Sequence, residues 1–174
     1  MGPMIEFPLD LPDVRVLGTE LTERGELLVR VESTLQSAVC RQCAEVIRTF
    51  YGYDEPIRLR HLPVLNRRVI VELRPKRFRC PKCKGGPSTT QRCAWYDPRS
   101  PHTRAFEQSM LLALVGSTII DVAIKNKLGP DALDGLVERH ISAEVDWDRF
   151  ESLGIVGLDE IALKKGHRDF VVIV

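Results

Sequence analysis

Two short cysteine pairs constrain this chain more than any other feature. Cys40-Arg41-Gln42-Cys43 and Cys80-Pro81-Lys82-Cys83 stand with residues 44–79 between them. A Cys-x-x-Cys knuckle points two thiolates at one ion, and two knuckles supply the four sulfurs of a closed, tetrahedral structural zinc site. The pattern therefore assigns Cys40, Cys43, Cys80 and Cys83 as zinc ligands. The spacer exceeds the roughly 15 to 20 residues of the commonest ribbon spacing, but 56–65 and 67–73 read as two strands joined around Asn66, so both knuckles are expected at the ends of one small antiparallel sheet. Five cysteines in 174 residues are too few and too unevenly placed for a disulfide framework, which points to a reducing compartment. A redox role for either pair would need the motif to open a helix in a βαβ setting, which the flanking sequence does not offer. Cys93 is left over as a packing or incidentally exposed residue, and His61 as a surface or fold-supporting side chain.

The formal net charge of +1 conceals a strongly basic block. Between Arg58 and Arg104 thirteen Lys and Arg face only Glu72 and Asp97, a local charge of +11. Such a stretch is the electrostatic footprint of a polyanion partner, whereas a merely solvated surface usually mixes signs. Arg67, Arg68, Arg74, Lys76, Arg77 and Arg79 are the expected contacts to the phosphates of double-stranded DNA. RNA binding, with Trp95 and Tyr96 as stacking platforms, is a weaker alternative. No apolar run approaches the roughly 18 to 20 residues of a membrane span, and the first residues lack the basic and apolar regions of a secretory signal. The expected location is the cytoplasm, at the nucleoid.

The chain divides into four expected segments, giving an α+β fold. Residues 1–35 hold a β-hairpin, with Val14–Gly18 and Glu26–Glu32 flanking the turn-prone Thr22-Glu23-Arg24-Gly25. Its expected role is to support the zinc-binding segment. Residues 36–99 form that β-rich zinc-binding domain. Residues 100–145 turn helical: Ser100 followed by Pro101 reads as an N-cap with proline at the first helical position, and Phe106, Met110, Leu111, Leu114 and Val115 recur at helical spacing. Gly116-Ser117 breaks and recaps the chain, a second helix stops at Gly129, and Pro130 opens a third. Three short helices with glycine-containing joints match a helix-turn-helix, although the outward Asp131, Asp134 and Glu138 make the third a poor surface for phosphates and leave a packing bundle as the other reading. Residues 146–174 show two apolar strands around a basic turn at 164–168. Asp159, inside the first, must have a partner or bind a cation.

The order of these parts resembles the ISL-three family of insertion-sequence transposases. The resemblance rests on Arg77-Phe78-Arg79-Cys80-Pro81-Lys82-Cys83, on His61-Leu62-Pro63, and most specifically on Gly157-Leu158-Asp159-Glu160-Ile161-Ala162-Leu163-Lys164-Lys165-Gly166. It implies a DDE-type enzyme with an RNase-H-like catalytic domain, in which three carboxylates hold two Mg2+ ions for phosphodiester cleavage and strand transfer. Asp159 would be the first carboxylate. The sequence ends one strand later, before a second Asp and a Glu, and Glu160 faces the opposite side of the strand. The resemblance thus implies a catalytically incomplete, zinc-containing part that recognises the terminal inverted repeats of a transposon, with Mg2+ serving only the full-length enzyme. The apolar edge left at Phe170–Val174 implies a homodimer, and an assembly module with little DNA affinity is the alternative function.

Overall fold

In the computed structural model, residues 8–141, 148 and 151–152 are described, together with the backbone of 159–162 and 170–173. The chain forms two compact units, 1–137 and 138–174.

The first unit is built on a four-stranded sheet of order β1-β2-β7-β6, from β1 (Val14–Leu21), β2 (Leu27–Ser33), β6 (Ile57–Val64) and β7 (Arg67–Leu73). Alternation along β2 and β7 creates its two faces. Val29, Val31, Val69, Val71 and Leu73 point inward with Leu59 of β6, and Trp95, Tyr96 and Cys93 cover them. The opposite face carries a cross-strand row, Arg30 opposite Glu72 opposite Arg58, closed by ion pairs of 3.4 and 2.8 Å. Leu65 and Asn66, both at positive φ (49° and 60°), make the tight turn between β6 and β7. Asparagine tolerates that geometry, which explains the hairpin at the expected place.

The strand pairing corrects two expectations. The N-terminal hairpin is not a separate unit beside the zinc-binding segment, because β2 pairs in parallel with β7 and both hairpins share one sheet. Nor do the knuckles sit at the ends of that sheet. Each is the turn of its own small hairpin: the first lies between β3 (Ala38–Val39) and β4 (Val46–Ile47), the second between β8 (Lys76–Arg79) and β9 (Ser88–Thr90). β8 also pairs with β5 (Thr49–Tyr53), giving a second sheet of order β5-β8-β9.

Residues 96–103 then run beside β6 before the helices begin. Arg60 donates its amide to Pro101 and accepts from Thr103, at 2.9 Å each. This explains why α1 (Arg104–Leu114) is capped by Thr103 and not by Ser100: the segment between them is held by β6, and the Thr103 hydroxyl is the first free to accept from the Phe106 amide. Ser100 instead donates to the buried Glu107 carboxylate. Thr118, not Ser117, caps α2 (Ile119–Asn126), which ends in a left-handed Lys127 two residues before the expected Gly129. There Leu128 and Lys127 donate to Ala123 and Ile124, the paired bonds of a Schellman ending. α3 (Pro130–His140) opens on Pro130 as expected. Phe106, Met110, Val122, Ala123, Leu133 and Leu136 form the core between the helices.

In the second unit β10 (Asp159–Ala162) and β11 (Phe170–Ile173) pair antiparallel, Asp159 opposite Ile173. The side chain of Asp159 and the basic turn at 164–168 lie outside the described residues. No helix of the described residues is long and apolar enough to cross a membrane.

Candidate metal centre

The two knuckles meet. The Cys40 and Cys83 sulfurs are 4.0 Å apart, those of Cys43 and Cys80 are 3.8 Å apart, and all four lie within 4.8 Å of one another. Four sulfurs bound at about 2.3 Å to one tetrahedral zinc would stand about 3.8 Å from each other. The expected ligand set is thus assembled at nearly zinc-binding spacing.

Backbone geometry sets this arrangement. In the first knuckle the Cys40 amide donates to the Glu45 carbonyl at 2.8 Å and the Ala44 amide to the Cys40 carbonyl at 3.0 Å, with Ala44 at φ 58°. In the second, Cys80 donates to Pro87 and Gly86 to Cys83, each at 3.0 Å, with Gly85 and Gly86 at positive φ. A side chain at Gly86 would be strained at its φ of 56° and would push the Arg79 guanidinium aside, since an added Cβ would stand 2.6 Å from Nε of Arg79, which donates to the Gly86 carbonyl. Beneath the sulfurs Ile47 and Phe78 pack with Cys40 and Cys80 in a core of only four buried side chains.

The electrostatics favour a cation. The amides of Cys43 and Gln42 draw the Cys40 thiol down to about 6, while the adjoining Cys43 sulfur, followed by burial, pushes Cys83 up to about 12. One thiolate is welcome in the cluster, but a fourth is opposed unless a positive ion sits among them. The donor set is all sulfur, with no site left open for a reacting molecule, and zinc held there would brace the fold.

The basic block is divided between the two sheets. On and around the four-stranded sheet most cations are neutralised: Arg58 by Glu72, and Arg68 by Glu26 at 3.1 Å. Arg60 is spent on packing, with its guanidinium 4.5 Å above the Phe106 ring and donating to the Asn126 carbonyl at 2.6 Å. Lys76 does not belong with the expected DNA contacts. It is 5% exposed, donates to the Ser33 carbonyl at 2.7 Å and faces Glu32 at 3.7 Å. It shares the inward side of β8 with Phe78, since alternate residues of a strand face the same way.

Arg74, Arg77 and Arg79 lie with the second sheet and, like Arg67, form no ion pair among the described residues. Arg77 donates to the Ser88 hydroxyl at 2.7 Å. Here the structure adds residues that the pattern reading passed over. β5 exposes Phe50, Tyr51 and Tyr53, and the three arginines gather on two of those rings: Arg74 on Tyr53, and Arg77 and Arg79 on Tyr51, at 5.5 to 5.7 Å. A run of Phe-Tyr-Gly-Tyr in a chain with only 6% aromatic residues was a visible signal. Trp95 and Tyr96, by contrast, are buried at 5% exposure, which removes them as stacking platforms. His61 and Cys93 are core residues. Burial lowers the His61 pKa and raises that of Cys93.

Comparison with known proteins agrees with this geometry. Residues 36–83 match the family model described as the zinc-finger of transposase IS204/IS1001/IS1096/IS1165. The chain is 30% identical over 151 residues to the transposase for insertion sequence element IS1001 of Bordetella parapertussis, covering 85% of this chain and 36% of that protein. It is 29% identical over 168 residues to the transposase for insertion sequence element IS1557 of Mycobacterium tuberculosis, covering 94% of this chain and 37% of the relative. The chain thus spans little more than a third of the curated relatives it matches. No solved structure matches it. With its four zinc-spaced sulfurs inside the matched zinc finger and a likeness to insertion-sequence transposases along most of its length, the chain is similar to the ISL-three insertion-sequence transposases.

Proposed function

We propose that this chain is the zinc-braced DNA-binding part of a transposase and that it recognises transposon ends. One observation carries the reading: Arg77 and Arg79 of the zinc-bearing sheet are held in place by neutral partners and left unneutralised, while Arg58 and Arg68 on the other sheet are paired with carboxylates. Duplex phosphates supply the missing negative charge, and each contact releases counterions. Arg67, Arg74, Arg77 and Arg79 are the positioning contacts. The three helices serve as a helix-turn-helix that adds register or sequence preference on the terminal inverted repeats. β10 and β11 open an RNase-H-like domain in which Asp159 is the first Mg2+ ligand, and strand transfer requires further carboxylates beyond these two strands.

Fluorescence anisotropy of a labelled duplex, titrated at several salt concentrations, tests the proposal. Replacing Arg77 and Arg79 together with alanine should weaken binding to all duplexes alike and flatten the salt slope by about one unit per lost phosphate contact. An unchanged slope would remove these arginines from the interface.

A second reading has its own observation. Leu112, Val115, Ile120 and Ile124 on and beside α1 and α2 are each more than 60% exposed. Apolar residues of that size left in water favour a subunit-assembly role for the helical segment, with homodimerisation as its simplest form. Sedimentation of the Ile120→Lys, Ile124→Lys double variant separates the two, since an assembly role predicts a change in oligomeric state with the DNA salt slope intact.

A further inference from the structure

We infer that Tyr51 and the guanidiniums of Arg77 and Arg79 form a stacking site for an unpaired DNA base, and that the groove between Arg41 and Arg92 carries the adjoining phosphates. The inference rests on the DNA-binding reading above and specifies which form of DNA that sheet prefers.

Strand alternation decides which side chains reach the ligand. On β8, Phe78 and Lys76 face inward, so Arg77 and Arg79 face outward, and the register puts Thr90 and Ser88 of β9 beside them. An irregularity between Phe50 and Gly52 leaves Tyr51 unpaired opposite β8. Its neighbour Phe50 instead packs edge-on against Phe78, at 6.2 Å between centroids. Tyr51 therefore stands on the arginine side. Tyr51 is 55% exposed and belongs to none of the buried clusters. Arg77 and Arg79 lie 5.7 and 5.5 Å from it.

Arg77, which lies on the Tyr51 ring, also lines a groove of about 390 Å3 together with Arg41 and Arg92. Among the described residues none of the three forms an ion pair. The nearby Asp54 carboxylate does not fill that role, because it is held chiefly by the Thr90 hydroxyl at 2.6 Å. An aromatic ring beside a cationic groove fits a single strand better than a duplex. Every base has a π-face to offer once it leaves the helix, and the groove tracks the backbone beyond it. A closed duplex presents phosphates to the groove but no base face to the ring. An acidic protein segment would satisfy the arginines yet leave the ring without a specific purpose.

The test uses the full chain loaded with zinc and three labelled probes: a blunt duplex, the same duplex with a single-stranded tail, and the tail strand alone. The tailed duplex should bind about tenfold more tightly than the blunt one, the gain expected from stacking one base. Tyr51→Ala should abolish that preference and leave blunt-duplex affinity unchanged, while Tyr51→Phe should retain it. Zinc content and melting temperature of each variant confirm that the exposed ring is dispensable for folding. Equal affinity for tailed and blunt probes, or a preference that survives Tyr51→Ala, overturns the inference while leaving duplex binding in place. A variant that changes self-association instead of affinity identifies the face as a protein interface and overturns it as well. Failure to bind all three probes would defeat the DNA-binding reading itself.

Discussion

Cys83→Ser should release the metal and unfold the two knuckles without unfolding the protein. The core under the sulfurs contributes little: burying Ile47 and Phe78 stabilises by about 2 to 3 kcal/mol each. Fixing the backbone costs about 1 to 2 kcal/mol per residue, and residues 38–47 and 80–87 contain only the two-residue strands β3 and β4 to offset it. The remainder must come from the metal, whose apparent binding energy in comparable structural sites is about 10 to 16 kcal/mol. The four-stranded sheet has an independent core in Val29, Val31, Leu59, Val69, Val71 and Leu73, capped by Trp95 and Tyr96. Hydrogen exchange should therefore show fast exchange at the Cys40, Ala44, Cys80 and Gly86 amides of the variant, with β2, β6 and β7 still protected. Zinc measured after gel filtration should fall from one per chain to well below one. A Cys83→Ser protein that keeps a full zinc and protected knuckle amides would refute the four-sulfur assignment. Global unfolding would refute the independence of the two cores.

Individual side chains give three further outcomes. Lys76→Met should cost about 1 to 3 kcal/mol in urea melts, because the buried Ser33 carbonyl loses its donor, yet leave the salt slope of DNA binding unchanged, since Lys76 is not a phosphate contact. His61 is neutral in the fold: its Nε2 donates to the Leu9 carbonyl at 3.2 Å, and the Thr103 hydroxyl donates to Nδ1 at 2.9 Å while accepting from the Phe106 amide. Burial holds its pKa below the ordinary 6.5, so the unfolded chain takes up the proton first, and the melting temperature should fall as pH drops below about 6.5. His61→Gln should flatten that decline, and an equally steep decline in the variant would assign it to another group. The buried thiol of Cys93, raised by desolvation, should resist alkylation at neutral pH until denaturant is added, whereas reaction in the native protein would contradict its place in the core.

What could be read from the sequence was local or chemically forced. The β6–β7 hairpin follows from period-two alternation and an asparagine at the turn, and the zinc ligands follow because four knuckle thiolates have one common use. The pairing of β2 with β7 could not be read in the same way. Parallel strands need a long crossover, and nothing in either strand names a partner 42 positions away. Lys76 is a different kind of miss, since in Lys76-Arg77-Phe78-Arg79 the alternation already puts the lysine on the side of the phenylalanine. Net charge does not distinguish among the thirteen cations, and the fold does. The N-terminal hairpin lies against β7 and neutralises two cations near it, Glu26 holding Arg68 and Glu32 meeting Lys76, while Glu72 of β7 itself takes both Arg58 and the hairpin's Arg30. Around the second sheet Glu32 meets Lys76 and Glu45 holds Lys82, whereas Arg77 and Arg79 donate to the neutral oxygens of Ser88 and Gly86 and form no ion pair among the described residues. The hairpin, expected only as a support for the zinc-binding segment, thus neutralises Arg68 and Lys76, and under the DNA-binding reading the charge left for phosphates is that of the arginines it does not reach.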